Sequence, residues 1–229
     1  MFDSFTLVAA TADLADEPAA RGVADLVEFR MDLASDPLAQ LASYDGELPL
    51  LVTNRPSWEG GEIPGGEARL EALEAAVGNE AVAAVDIELA ALRRGGEIGD
   101  AANAVAAEAE ALGVDVVVSV HDFVGTPSER AMASLLTAAA DAGDVGKLAV
   151  TAVSRSDALA LLSATHATAA IGERVATMAM GEPGRHTRAV APMYGSRIGY
   201  APVRAEDATA PGQYDLETLA DLVVELGGP

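Results

Sequence analysis

Lys147 is the only lysine in a chain whose other basic residues are all arginine, 14 Lys and Arg in total. It lies in an apolar run, Lys147-Leu148-Ala149-Val150. A lysine inside such a segment is desolvated, which favours the neutral amine, and a neutral amine can attack a ketone and form a Schiff base. A structural ion pair at the start of a strand is the competing role. Arginine pairs with carboxylates better and never loses its charge, so a chain that uses arginine everywhere else has no structural need for this lysine. His121 ends another apolar run, Val116-Val117-Val118-Ser119-Val120, and at a strand end could be a general acid/base near neutral pH. It could also be a hydrogen-bonded core histidine. Glu88, expected one strand over, would orient its ring. Glu28, Arg30 and Asp32 alternate with Phe29 and Met31, which puts three charges on one face of a strand. Inward charges are costly unless paired or bound to a ligand, so they form either a binding wall or an internal ion network. Arg55 and Arg188 are further cations for a carboxylate or hydroxyls. His166 reads as surface or packing, His186 as a marginal loop candidate, and Met178 and Met180 as packing near the lysine stem.

These side chains need a scaffold that brings distant segments together. Strand-like runs fall at 6–10, 26–32, 48–55, 81–89, 114–121, 147–153, 174–180 and 197–203. Helical patterns lie between them at 67–77, 100–112, 128–141, 156–164 and 216–226. The last carries Leu216, Leu219, Leu222, Val223 and Leu226 as an apolar stripe. Alternating strands and helices with nearly continuous apolar strands predict parallel pairing under helical cover. Eight such units in 229 residues fit a lean (β/α)8 TIM barrel, an α/β fold, as a single domain over 1–229. An open doubly wound sheet is the alternative. It would usually show a glycine-rich turn after the first strand, where this chain has Ala9-Ala10-Thr11-Ala12-Asp13. In a barrel, polar residues at the C-terminal strand ends line the site, which is where Glu28, Arg30, Arg55, Glu88 and His121 fall, while Lys147 is read as opening the sixth strand.

Composition narrows the function. With 36 acidic residues the formal net charge is −22, a field that repels phosphate backbones and anionic lipids, so neither nucleic acid nor a membrane is an expected partner. Half the chain is apolar and its acids are scattered, which argues for a packed domain rather than disorder. No apolar run approaches the ~18 residues of a membrane span, and the N-terminus lacks a secretory pattern, so a cytoplasmic protein is expected. The absence of cysteine excludes thiolate metal sites and thiol nucleophiles. Self-repulsion of this size suits a salt-rich cytoplasm, where the Debye length falls to about 3 Å at molar salt. Activity and stability are expected to rise with molar KCl, and the apparent KM for an anionic substrate to rise at low salt. Full stability and unchanged KM in dilute buffer would refute this.

Several segments resemble type I 3-dehydroquinate dehydratase, including those of halophilic archaea. They are Glu28-Phe29-Arg30-Met31-Asp32, Thr53-Asn54-Arg55 with Glu59-Gly60-Gly61, Asp86-Ile87-Glu88-Leu89, Ser119-Val120-His121-Asp122-Phe123 with Thr126-Pro127, Lys147-Leu148-Ala149-Val150, Met178-Ala179-Met180-Gly181, and Ala210-Pro211-Gly212-Gln213. They run in the family's order over nearly the whole chain. The resemblance implies a (β/α)8 hydro-lyase of the shikimate pathway that turns 3-dehydroquinate into 3-dehydroshikimate and water, without metal or cofactor, as a homodimer. By the same resemblance Lys147 is the Schiff-base lysine, His121 the general acid/base and Glu88 its paired carboxylate. Glu28, Arg30, Arg55, Arg188, Thr209 and Gln213 fall on substrate-binding positions, with Arg188 at the substrate carboxylate. The 208–213 loop resembles the family's lid. Thr209 replaces a serine of bacterial relatives and keeps the hydroxyl. The chain starts almost at its first strand, so no N-terminal hairpin is expected beneath the barrel, which leaves its floor to be closed by other means. A class I aldolase would share the lysine imine but is expected to carry a glycine-rich phosphate cup after strands seven and eight; here Gly181 to Gly184 encloses Glu182, which repels phosphate. A non-catalytic acidic carrier would have no use for the inward charges or the retained lysine.

Overall fold

The computed structural model describes residues 1–204 and 212–228. Eight strands appear where the apolar runs predict them: β1 Thr6–Thr11, β2 Leu26–Arg30, β3 Leu50–Thr53, β4 Val82–Glu88, β5 Asp115–Asp122, β6 Val145–Thr151, β7 Val175–Met180 and β8 Ile198–Pro202. The helices are α1 Pro37–Ala42, α2 Glu67–Val77, α3 Leu89–Leu92, α4 Glu97–Leu112, α5 Glu129–Ala140, α6 Arg155–Ala170, α7 Thr187–Val190 and α8 Leu216–Glu225. All strand pairs are parallel, in the order β7-β6-β5-β4-β3-β2-β1-β8. The ends of that row meet through a parallel bridge between Val175 and Ser196, where the Arg197 N–H donates to the Val175 carbonyl at 2.7 Å. The sheet is therefore a barrel rather than an open doubly wound sheet. Among the described residues, no helix is long and apolar enough to cross a membrane.

The period of two sorts side chains between the two sides of the barrel wall. Val27, Phe29, Val52, Val85, Ile87, Val116 and Val118 point outward into the core shared with the helices. Leu26, Leu51, Ala84, Val117, Val145, Ala176, Ile198 and Tyr200 point inward, together with Phe2. Phe2 is 2% exposed and fills the lower interior, so a single phenyl ring packs where the sequence leaves the floor unaccounted for. Arg197 ties this segment down by donating to the Asp3 carbonyl at 2.6 Å. Above this apolar layer the inward positions turn polar: Glu28, Arg30, Thr53, Asp86, Glu88, Ser119 and Lys147 are all buried.

Lys147 does not open its strand. It is the third residue of β6, level with Ser119 of β5 and Ala176 of β7. The earlier start was hidden by Gly146, a poor strand former. A Cβ at Gly146 would stand 2.6 Å from the Leu136 carbonyl and 2.7 Å from the Ala140 nitrogen, so only glycine lets α5 lie directly on the strand beside Lys147. His166 and His186 are both exposed.

Candidate active site

The polar layer opens into a cleft at the C-terminal strand ends. It is lined by Glu28, Arg30, Arg55, Glu59, His121, Lys147, Met178, Met180, Arg188, Tyr200 and Gln213, with Gly60, Phe123 and Ala149. Seven of the residues expected from sequence thus share one cavity: Lys147, His121, Glu28, Arg30, Arg55, Arg188 and Gln213. Glu88 is not in its lining, and Thr209 lies outside the described residues, as does most of the 208–213 loop.

Lys147 Nζ donates to Asp86 Oδ2 at 3.0 Å and stands 3.9 Å from Glu28 Oε1. Asp86 is fully buried and also takes Arg55 at 2.8 Å and the Ser119 hydroxyl at 2.6 Å. Burial alone would raise its pKa, but Arg55 and Lys147 outweigh it and hold the carboxyl well below the usual range. A permanently ionised carboxylate therefore sits under the amine. Glu28 accepts from the Thr53 hydroxyl at 2.9 Å. Arg30 is bound two-pronged by Asp32 at 2.9 and 2.7 Å, which fixes its guanidinium at the rim of the cleft.

The carboxylate beside the His121 ring is not the one expected, and Nδ1 makes no hydrogen bond among the described residues. Glu59 Oε2 lies 3.4 Å from its Nδ1, whereas Glu88 is bound by Arg69 at 2.7 Å and faces Arg55 at 3.6 Å. Strand register explains the difference. Glu88 pairs with Ser119, two residues below His121, so adjacency of β4 and β5 does not bring the two side chains to one level. Arg69 of α2, locked to Asn54 by bonds of 2.9 and 3.1 Å, then draws Glu88 toward the helix layer. Glu59 arrives from a short 3-10 turn, Ser57–Glu59, after β3. The chain doubles back there: Gly61 donates to the Pro56 carbonyl at 3.0 Å, and a Cβ on Gly61 would overlap the Arg55 carbonyl. Gly60, at φ 82°, lies under Phe123, whose ring stacks on His121 with centroids 6.0 Å apart.

The electrostatics divide the site into roles. Burial, reinforced by Arg55 and Lys147, presses the His121 pKa well below its ordinary value, so the imidazole is neutral near pH 7. Burial pushes the Glu59 carboxyl up to about 8 despite Arg55. Arg188 is buried, and among the described residues it forms no ion pair, while its Nε has no hydrogen-bond partner. Burial lowers its pKa to about 10, opposed only by Tyr214. A buried guanidinium without a carboxylate, facing a cleft, is a site for an anionic group on a ligand.

The model of the family described as type I 3-dehydroquinase matches residues 5–227. The chain belongs to the type I 3-dehydroquinase family. It is 60% identical over 225 residues to the 3-dehydroquinate dehydratase of Haloarcula marismortui, covering 98% of this chain and 97% of that one. It is 54% identical to that of Halobacterium salinarum, covering 98% and 99%. Its structure is similar to the crystal structure of 3-dehydroquinate dehydratase from Geobacillus kaustophilus, with a TM-score of 0.83 and 31% identity over 98% of this chain and 92% of that one. Family membership sets aside the class I aldolase and the acidic carrier. It agrees with the salt-adapted composition, since the first two relatives come from halophilic archaea.

Within the type I 3-dehydroquinase frame, the site contains groups that sequence reasoning left without a role. Asp86 was visible as the inward neighbour of Glu88 in Asp86-Ile87-Glu88, two residues apart on one strand face. Glu59 precedes the glycine pair whose backbone freedom returns the chain to the site. Arg69 had no local signal, because its role depends on how α2 lies over β4.

Proposed function

We propose that this chain is a hydro-lyase that dehydrates 3-dehydroquinate to 3-dehydroshikimate through a Schiff base on Lys147. The observation that carries the reading is the convergence on one cleft of Lys147, His121 and Arg188, a buried guanidinium with no ion pair among the described residues. Lys147 gives up one ammonium proton and its amine adds to the substrate ketone; the carbinolamine hydroxyl takes that proton back and leaves as water, giving a protonated imine. Its positive charge acidifies the neighbouring C–H by making an electron sink. His121, neutral in its buried setting, removes that proton and leaves an enamine. The protonated imidazole then gives the proton to the departing β-hydroxyl, which leaves as water. Hydrolysis of the imine frees product and amine. Arg188 fits the substrate carboxylate, while Arg30, Arg55, Glu28 and Gln213 fit its hydroxyls, and this positioning makes the reaction effectively intramolecular. Thr209 is assigned a substrate contact on the family resemblance. In this reading Glu59 replaces Glu88 as the partner that orients His121, while Glu88 fixes Arg69 and Arg55 behind the site.

The test is borohydride reduction of the protein incubated with 3-dehydroquinate, followed by peptide mapping. A reduced adduct on Lys147 is expected; an adduct elsewhere, or none with active protein, would refute the mechanism. Glu59 adds a pH signature. Ionised above its pKa of about 8, its carboxylate can accept a charge-assisted hydrogen bond from Nδ1, stronger than the one a neutral carboxyl would accept. kcat/KM should therefore rise with pH through that value. Glu59→Gln should flatten this limb and lower kcat about 10- to 100-fold, the worth of one charge-assisted hydrogen bond. An unaltered pH profile in that variant would remove Glu59 from the role. We further place the protein in the cytoplasm as a homodimer with one catalytic domain over 1–229, on the family resemblance; sedimentation in molar KCl tests the dimer.

A further inference from the structure

Tyr200 has no place in the mechanism above, yet it sits in the middle of the site. It is an inward residue of β8, 4% exposed, and lines the cleft. Among the described residues its hydroxyl has no hydrogen-bond partner. A buried, unmatched phenol hydroxyl costs stability, so the residue is not held there by hydrogen bonding. Burial, with Glu28 and Asp86 nearby, holds the phenol well above its ordinary pKa, and the ring stays neutral. What Tyr200 does contribute is a face: Lys147 Nζ lies over its ring, 4.2 Å from the centroid.

We propose that Tyr200 is a positioning residue for the reaction, whose ring face stabilises the positive charge on the Lys147 nitrogen in the imine intermediate. The inference rests on Lys147 being the Schiff-base residue. Its physical content lies in counting hydrogens. The resting ammonium has three N–H groups, one donated to Asp86 at 3.0 Å. Deprotonation removes one of the three. Condensation removes the other two, which leave with the ketone oxygen as water, and protonation of the imine restores one. The protonated imine can therefore donate a single hydrogen bond. Carboxylates that hold the ammonium through its hydrogens lose grip as those hydrogens disappear. The attraction of a ring face for a cation needs no N–H, so it survives the change from ammonium to iminium. The ring also adds no formal charge to a layer already containing Glu28, Asp86 and Glu59.

The experiment compares Tyr200→Phe and Tyr200→Leu in molar KCl, measuring kcat, KM, denaturant midpoint and the borohydride adduct on Lys147. Tyr200→Phe keeps the face and discards the orphan hydroxyl. It should rescue turnover to within about twofold and unfold at an equal or higher midpoint. Tyr200→Leu should lower kcat about tenfold while KM changes less than about twofold. If the leucine variant does not fold, tetrafluorophenylalanine at this position preserves the ring shape and cancels the negative face, and should give the same kcat loss. The proposal is overturned if the leucine or fluorinated variant turns over normally, if the loss appears in KM alone, or if Tyr200→Phe falls as far as Tyr200→Leu. Failure of the wild-type protein to give a Lys147 adduct would instead overturn the Schiff-base assignment beneath it.

Discussion

Lys147→Ala is expected to lower kcat by at least about 10⁴-fold and to abolish the borohydride-trapped adduct, since no other amine can take over. Lys147 is the chain's only lysine, and its arginines cannot form an imine. The reaction would have to proceed through the bare ketone, a much weaker electron sink than a protonated imine. The variant should still fold. Asp86 loses one partner but keeps Arg55 at 2.8 Å and Ser119 at 2.6 Å, so its charge remains compensated. Lys147→Met, which restores the apolar stem, should give the same activity loss with a smaller loss of stability. The measurement is steady-state turnover with circular dichroism in molar KCl. Turnover within a hundredfold of wild type in a folded variant would show that the lysine is not the covalent residue.

The second large effect concerns the proton. His121→Ala should reduce kcat about 10²- to 10⁴-fold, the range that general acid–base catalysis supplies. The same variant should still form the reducible adduct on Lys147. Imine formation needs the amine and the bound carboxylate, whereas dehydration needs a base at the neighbouring carbon. The burial and flanking cations that depress the imidazole pKa keep it unprotonated, and therefore basic, across the neutral range. A His121→Ala protein that turns over normally would require another base, and one that traps nothing would tie His121 to imine formation instead.

The fold was legible because its signals are local. Each apolar run became one strand in the expected order, and the missing glycine-rich turn after β1 correctly favoured the barrel. Lys147 and His121 stood out by residue type against the composition around them. The pairing of His121 was not legible. Glu88 is on the neighbouring strand, but register places it level with Ser119, and a loop residue, Glu59, reaches the ring instead. Strand adjacency can be read from order alone; the height of a side chain on its strand cannot. Arg69 and Tyr200 act across elements distant in sequence, through helix packing and barrel closure, which leave no mark in local spacing. The floor was likewise opaque, because one buried Phe2 does what a larger element would otherwise do.

Closure of the barrel has a consequence for how the chain is made. β1 is hydrogen-bonded to both β2 and β8, and Phe2 belongs to the interior cluster to which the strands contribute. A strand made early, β1, is thus completed by one made much later, β8. At about 5–20 residues per second, the edge of β1 waits roughly 10–40 s for β8. During that interval a ribbon of parallel strands is open at both margins, a template for mispairing between neighbouring nascent chains.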